Sequence, residues 1–131
     1  LSPQSLIALP ETAMRGAGLS RGKTIALKDL AAKTLEGTVP HIKQARKLSD
    51  EELVERLTAV HGIGEWTVHM LLIFRLGRPD GLPTGDFAIR KAFGQLYKKR
   101  GHPKPAQVAK HGEIWRPYRS VASWYLWRSL D

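Results

Sequence analysis

The chain has 131 residues, of which 42% are hydrophobic and 25% charged, and it contains no cysteine. This size and composition fit one globular domain with its own core and exclude a disordered chain. Without cysteine, disulfides, zinc ribbons and a cysteine-ligated iron–sulfur cluster are all excluded.

The charge is strongly basic and unevenly distributed. The net charge is +9, yet residues 1–65 carry nine basic and eight acidic residues, whereas residues 66–131 carry twelve and four. A basic half suits a polyanionic partner, either nucleic acid or an anionic membrane surface, although a cationic protein without such a partner is the alternative. Leu1–Leu9 does not resemble a secretory signal, and no apolar run approaches the roughly 20 residues of a membrane span.

Two helices are predicted in the first half. The first is capped by Ser20 and ends at Gly37, which can adopt the left-handed conformation. The second follows a capping box formed by Ser49 and Glu52.

The second half also reads as helical. Glu65 to Leu76 is almost continuously apolar, which predicts a buried central helix. A loop rich in proline and glycine follows at residues 78–85. No segment alternates like a strand, so we expect an all-α fold with residues 1–131 in a single domain. Further helices are predicted at Asp86–Tyr97, Pro105–Trp115 and Pro117–Leu130.

The sharpest local feature is the turn Val60-His61-Gly62-Ile63-Gly64 between two helices. Glycines permit a tight turn with positive φ and leave backbone amides bare at the start of the next helix, where they favour an anion. Ile63 is expected to insert into the core and hold the turn rigid. An ordinary tight turn between helices is the alternative.

Asp86 begins a predicted helix after the loop. An aspartate in this position is commonly an N-cap, which is the structural alternative. A carboxylate at a helix N-terminus also stays ionised. It could therefore stabilise the oxocarbenium-like sugar formed when an N-glycosidic bond is hydrolysed, and orient or deprotonate the attacking water.

Together these motifs resemble a known superfamily. The pattern Leu57-x-x-Val60-x-Gly62-Ile63-Gly64-x-x-Thr67-Val68-x-x-Leu71-Leu72 resembles the helix–hairpin–helix motif, with Val68 where alanine is usual. With the loop and Asp86, it resembles the helix–hairpin–helix (HhH-GPD) DNA glycosylase superfamily. The runs Ala17–Lys23 and Trp115–Trp127 are similar to its 3-methyladenine DNA glycosylase II (AlkA-like) branch.

The resemblance covers essentially all 131 residues and implies a helical DNA glycosylase domain with its helix–hairpin–helix at about residues 50–76. Members of this branch carry further sequence ahead of the point matching Leu1. The chain is therefore expected to be a C-terminal portion lacking the first helices, with little activity alone.

The resemblance also implies a chemistry. Members that also cut the DNA strand carry a lysine that forms a Schiff base where this chain has Trp66. The resemblance therefore implies a monofunctional N-glycosylase, which flips out alkylated purines and excises them with water. Asp86 would be the catalytic carboxylate. At position 70 this chain has methionine, where some relatives have an aromatic residue. Trp115 and Trp124 are expected to lie in the core. The implied base pocket is Trp66, Met70, Phe87 and Trp127, and the implied phosphate contacts are Gly62, Ile63, Gly64 and Thr67.

The partner implied is double-stranded DNA with damaged bases, not a membrane, and a second chain or a missing N-terminal segment would complete the domain. No required cofactor, side-chain metal site or iron–sulfur cluster is expected, although Na⁺ or K⁺ could bind the hairpin carbonyls. The location would be the bacterial cytoplasm or a eukaryotic nucleus. The alternative function is a non-catalytic helix–hairpin–helix module that only docks on DNA.

Overall fold

The computed structural model describes residues 1–131 and is helical throughout, with no strand. It divides into two compact units, Leu1–Val68 and His69–Asp131. The helices are α1 Pro3–Ala8, α2 Glu11–Gly16, α3 Arg21–Glu36, α4 Ile42–Ala45, α5 Asp50–Thr58, α6 Glu65–Met70, α7 Phe87–Leu96, α8 Pro105–Gly112 and α9 Arg119–Arg128. A π-helical turn, Leu71–Arg75, continues α6, and a 3₁₀ turn, Glu113–Trp115, follows α8. The all-α prediction is confirmed.

The caps predicted in the first unit are present. The Ser20 hydroxyl accepts the Lys23 amide, and α3 ends at Gly37 with φ of 86°. The Ser49 hydroxyl accepts the Glu52 amide at 3.1 Å, while the Glu52 carboxylate accepts the Ser49 amide at 2.9 Å. These two bonds satisfy amides that a helix start leaves unpaired.

Helix α3 is the scaffold of the first unit. Helices α1 and α2 both pack against it, and the Lys28 ammonium donates to the carbonyls of Ile7 and Leu9, which ties the end of α1 to α3. The short helices α1, α2 and α4 were not predicted, because four to six residues hold too little periodicity to detect. The apolar core of this unit is Met14, Ala31, Ala45, Leu53, Leu57, Val60 and Val68.

The second unit has its own core between α7, α8 and α9. Helix α7 packs against both of the others. Trp115, Trp127 and Leu130 pack partly buried against the cluster, so the expectation for Trp115 holds in part. The cluster itself consists of Leu82, Ile89, Ala92, Phe93, Val108 and Leu126.

The apolar segment 65–76 is not buried on all sides, which corrects the sequence prediction. Val68 and Leu72 are 1% exposed, whereas Trp66 is 53% and Phe74 is 64% exposed. Trp124, expected in the core, is likewise half exposed. Hydropathy alone reads any large aromatic side chain as core, and it cannot detect one that faces outward.

The first unit offers a matched test of its core. Leu53→Ala removes a fully buried side chain, so the free energy of unfolding should fall by about 2–5 kcal/mol. Leu35→Ala, on an exposed position of α3, should change it by less than about 0.5 kcal/mol. Urea denaturation followed by circular dichroism measures both, and similar losses would contradict the described core.

Candidate functional site

The hairpin between α5 and α6 uses its two glycines differently. Gly62 has φ of 79°, and a Cβ there would lie 3.2 Å from the Cβ of Ala26 on α3. Gly64 is outside the left-handed region, and a Cβ there would meet nothing within 4 Å. Gly62 is therefore required by the fold, whereas the chain itself leaves open space beside Gly64.

The backbone amides of the hairpin divide differently. The amides of Gly62 and Gly64 donate no hydrogen bond within the chain, and Thr67 is exposed on the first turn of α6. The Ile63 amide instead donates to the Val60 carbonyl at 3.1 Å. The predicted phosphate contact of Ile63 therefore differs from those of the two glycines, because its amide already has a partner that closes the turn.

The Ile63 side chain does not insert into the core either. It is half-buried and lines, with the apolar face of α3, an open groove of about 310 Å³. The other lining residues are Leu19, Lys23, Ala26, Leu27 and Leu30.

Asp29 fastens the hairpin to α3. Its Oδ2 accepts the His61 amide at 2.7 Å, and its Oδ1 accepts the Lys33 ammonium at 2.7 Å. The hydrogen bond from the His61 amide is the main reason that the pKa of Asp29 is lowered, and Lys33 adds to the effect. Sequence reasoning missed this residue, because Asp29 and His61 are 32 positions apart.

Asp86 occupies the N-cap of α7, as predicted. Its Oδ1 accepts the Ile89 amide at 2.8 Å and the Trp127 indole N–H at 3.2 Å. The carboxylate is half-buried, and the two bonds come from different helices. The structure therefore brings Trp127 to Asp86 and holds the carboxylate from two sides.

The other three predicted pocket residues are partly or largely exposed to solvent. Phe87 is 60% exposed, and its ring centroid lies 4.9 Å from that of His102. Met70, at the end of α6, is half-buried, and Trp66 belongs to the first unit. Sequence reasoning missed Phe74, whose ring stacks on Trp127 with centroids 5.7 Å apart.

The loop before Asp86 is held by an ion-pair cluster. The Asp80 carboxylate accepts the Arg119 Nε at 2.8 Å and Nη2 at 3.0 Å, and the Arg116 Nη1 at 2.6 Å. Burial raises the pKa of Asp80, but hydrogen bonds from Arg119 and the charges of both arginines outweigh it, so the pKa is lowered. Such bidentate arginine pairs fix geometry as well as charge.

Neither a side-chain metal site nor a membrane span is found in residues 1–131. No group of three or more His, Asp or Glu side chains is arranged to hold a metal ion. None of the helices is both long and apolar enough to cross a membrane.

The family model for HhH-GPD superfamily base excision DNA repair proteins matches residues 1–117. The chain belongs to this superfamily. It is 42% identical over 128 residues to DNA-3-methyladenine glycosylase 1 of Schizosaccharomyces pombe, covering 98% of this chain and 56% of that protein. It is 29% identical to DNA-3-methyladenine glycosylase 2 of Escherichia coli, covering 96% of this chain and 41% of that protein.

Solved structures of superfamily members agree with the fold. The S. pombe 3-methyladenine DNA glycosylase in complex with abasic DNA matches with a TM-score of 0.85, over 97% of this chain and 62% of that one. A DNA-3-methyladenine glycosidase from Bacillus halodurans matches with a TM-score of 0.86 at 31% identity, over 98% and 58%. The chain thus spans between 41% and 62% of the length of the relatives it matches here.

The two glycines give a first test of the hairpin. Gly62→Ala should lower the free energy of unfolding by about 1–2 kcal/mol, because alanine is strained at this φ. Gly64→Ala adds a methyl to open space and should change it by less than about 0.5 kcal/mol. Urea unfolding of both variants measures the difference, and equal losses would show that the glycines are equivalent.

Asp29 gives a pH-dependent test. Its folded pKa lies below the ordinary value of 3.8, so its stabilisation is complete above that value and disappears as pH falls through the folded pKa. Asp29→Asn should therefore lower Tm at neutral pH, and the difference from the unsubstituted protein should close in acid. Thermal unfolding from pH 7 to pH 2 measures this, with Asp131→Asn as the control. If the two curves of Tm against pH stay parallel, the ionised Asp29 carboxylate is excluded as a source of pH-dependent stability.

Proposed function

We propose that the protein of which this chain is part is a DNA repair enzyme, a monofunctional N-glycosylase that excises alkylated purines of the 3-methyladenine type from duplex DNA. The observation that carries the proposal is the Asp86 carboxylate, held through Oδ1 by Ile89 and Trp127 in a chain of this superfamily. The names of its relatives, DNA-3-methyladenine glycosylases, support the substrate class.

Asp86 is the catalytic carboxylate of this proposal. When the N-glycosidic bond breaks, positive charge develops on the sugar, and a fixed anion stabilises that charge without reorganising during the reaction. The same carboxylate can orient the attacking water or accept its proton. Trp66 has no amine that could form a Schiff base, so water is the nucleophile.

The exposed aromatic side chains suit the substrate. Trp66 and Phe87 are more than half exposed, and Trp127 and Met70 are partly so. Alkylation makes a purine base cationic, and the face of an aromatic ring attracts a cation. Stacking contributes about 1–3 kcal/mol per base, comparable to the cost of flipping a damaged base out of the duplex.

The hairpin is proposed to hold the DNA backbone. The unpaired amides of Gly62 and Gly64 and the exposed Thr67 can donate to a phosphate, and the open space beside Gly64 lets the backbone approach. The carbonyls of Gly62 and Ile63 accept no hydrogen bond within the chain, so they suit a monovalent cation such as Na⁺ or K⁺. Such an enzyme works where genomic DNA lies, in a bacterial cytoplasm or a eukaryotic nucleus.

The decisive variant is Asp86→Asn in the full-length protein. Asparagine is also a good N-cap, so the fold is kept while the charge is lost. Release of 3-methyladenine from methylated DNA should be abolished, whereas affinity for abasic-site DNA should stay within about twofold, since phosphate contacts dominate binding. Base release is measured by chromatography, with Asp131→Asn as the matched control.

A non-catalytic DNA-docking module is the second candidate, because the observed N-cap bond alone would explain Asp86. In that case the unsubstituted full-length protein releases no base, and Asp86→Asn changes nothing. Base release by the unsubstituted protein excludes this candidate. If the Asp86→Asn variant still releases base, Asp86 is excluded as the catalytic group.

Gly64→Ala tests the phosphate contact separately. The added methyl lies where the DNA backbone would approach, so affinity for duplex DNA should fall about tenfold or more while the protein remains folded. Fluorescence anisotropy across a salt series measures this. Unchanged affinity would place the DNA contact elsewhere, and Gly22→Ala, also in open space on α3, is the control.

A further inference from the structure

Two buried hydroxyl groups on α9 have no role in the proposed chemistry. The buried polar residues of the chain are Thr24, Ser120 and Ser123, and the last two are 9% and 0% exposed. A buried hydroxyl destabilises the fold unless it is hydrogen-bonded, so its partners indicate what it does. Both serines bond the backbone of the loop that leads to Asp86.

Ser120 holds this loop by three bonds. Its hydroxyl accepts the Gly81 amide at 2.8 Å and donates to the Arg78 carbonyl, and its own amide donates to the Pro79 carbonyl at 2.9 Å. The Ser123 hydroxyl lies 3.0 Å from the Gly81 carbonyl and 2.8 Å from the Arg119 carbonyl, both of which can accept its hydrogen. Both backbone polar groups of Gly81 are thus bonded to α9.

Gly81 leaves no room for a side chain. A Cβ at this position would lie 2.7 Å from the Cγ1 of Ile73 and 3.1 Å from the Ser120 hydroxyl oxygen. The backbone at Gly81 is therefore enclosed between the π-helical turn and α9. Leu82 and Pro83, which continue toward Asp86, are buried as well.

The contacts follow one another along α9. Arg119 binds Asp80, the two serines bind Gly81, and Trp127 donates to Asp86. One helix therefore holds the segment from Asp80 to Asp86 at its beginning and at its end. Any shift of the loop along α9 would have to break buried hydrogen bonds.

We propose that Ser120 and Ser123 are positioning residues, which set where the Asp86 carboxylate stands by fastening the loop at Gly81 to α9. The inference rests on the proposed function for its catalytic meaning, since Asp86 is the group being positioned. Catalytic groups must be held within roughly 0.5 Å of the productive geometry, and hydrogen bonds behind the reacting group provide that rigidity. A displacement of about 1 Å can cost up to about a hundredfold in rate.

The Trp127 indole N–H reports the position of Asp86 directly, because it donates to Oδ1. In ¹⁵N spectra of the full-length protein, the resonance of the Trp127 indole N–H is assigned as the one that disappears in the Trp127→Phe variant. Ser120→Ala and Ser123→Ala should each speed hydrogen exchange of the Trp127 indole and the Ile89 amide at least fivefold. Ser120→Thr, which keeps the hydroxyl, should restore slow exchange.

Two internal controls distinguish a displacement of Asp86 from a general destabilisation of the second unit. The Trp115 indole, packed against the same core, should exchange at the unsubstituted rate in both variants. Ser129→Ala, which removes a hydroxyl bonded to Leu126 outside the loop, should leave the Trp127 signal unchanged. Unchanged exchange at Trp127 in the serine variants, or equal acceleration at Trp115, would overturn the proposal.

The catalytic readout is separate. In single-turnover assays on methylated DNA, Ser120→Ala should reduce the rate of base release about tenfold or more while affinity for abasic-site DNA stays unchanged. If the unsubstituted protein releases no base, the proposed function fails, while the exchange data still decide whether the serines position Asp86. Normal release in Ser120→Ala by an otherwise active protein would overturn their positioning role.

Discussion

The hydrogen bonds at Asp86 Oδ1 are the constraint on which the second unit depends. The Ile89 amide requires the carboxylate to start α7, and the Trp127 indole N–H requires α9 to lie beside it. The residue that starts a helix is therefore also a contact between two helices. A carboxylate held in this way has few other orientations, which is what stabilising a transient positive charge demands.

The rest of α9 reinforces the same arrangement. Arg119 pairs with Asp80 in two-point geometry, and the buried hydroxyls of Ser120 and Ser123 bond the loop backbone at Gly81. Buried polar groups of this kind contribute little net stability, but they allow only one arrangement when every partner is satisfied. Their effect here is to tie the beginning of the loop before α7 to α9.

The hairpin of the first unit shows the same division between fold and function. Gly62 and Asp29 are used by the protein itself: one adopts the left-handed turn against α3, and the other binds the His61 amide. Gly64 neither adopts the left-handed turn nor fastens the hairpin to α3. Its amide donates no hydrogen bond within the chain, and the space beside it is empty. A glycine that the fold itself does not need leaves room for the close approach of a backbone phosphate.

The sequence by itself determined the local features. Ser20, Gly37, Ser49 and Asp86 act within a few residues of themselves, so their caps follow from short-range chemistry. The order of the hairpin, loop and aspartate was enough to identify the superfamily. Only the tertiary structure revealed Asp29, Phe74 and the serines of α9, because their partners are 32 to 53 positions away. It also placed Trp66 and Phe74 at the surface, since hydropathy measures what a side chain prefers and not what the fold places beside it.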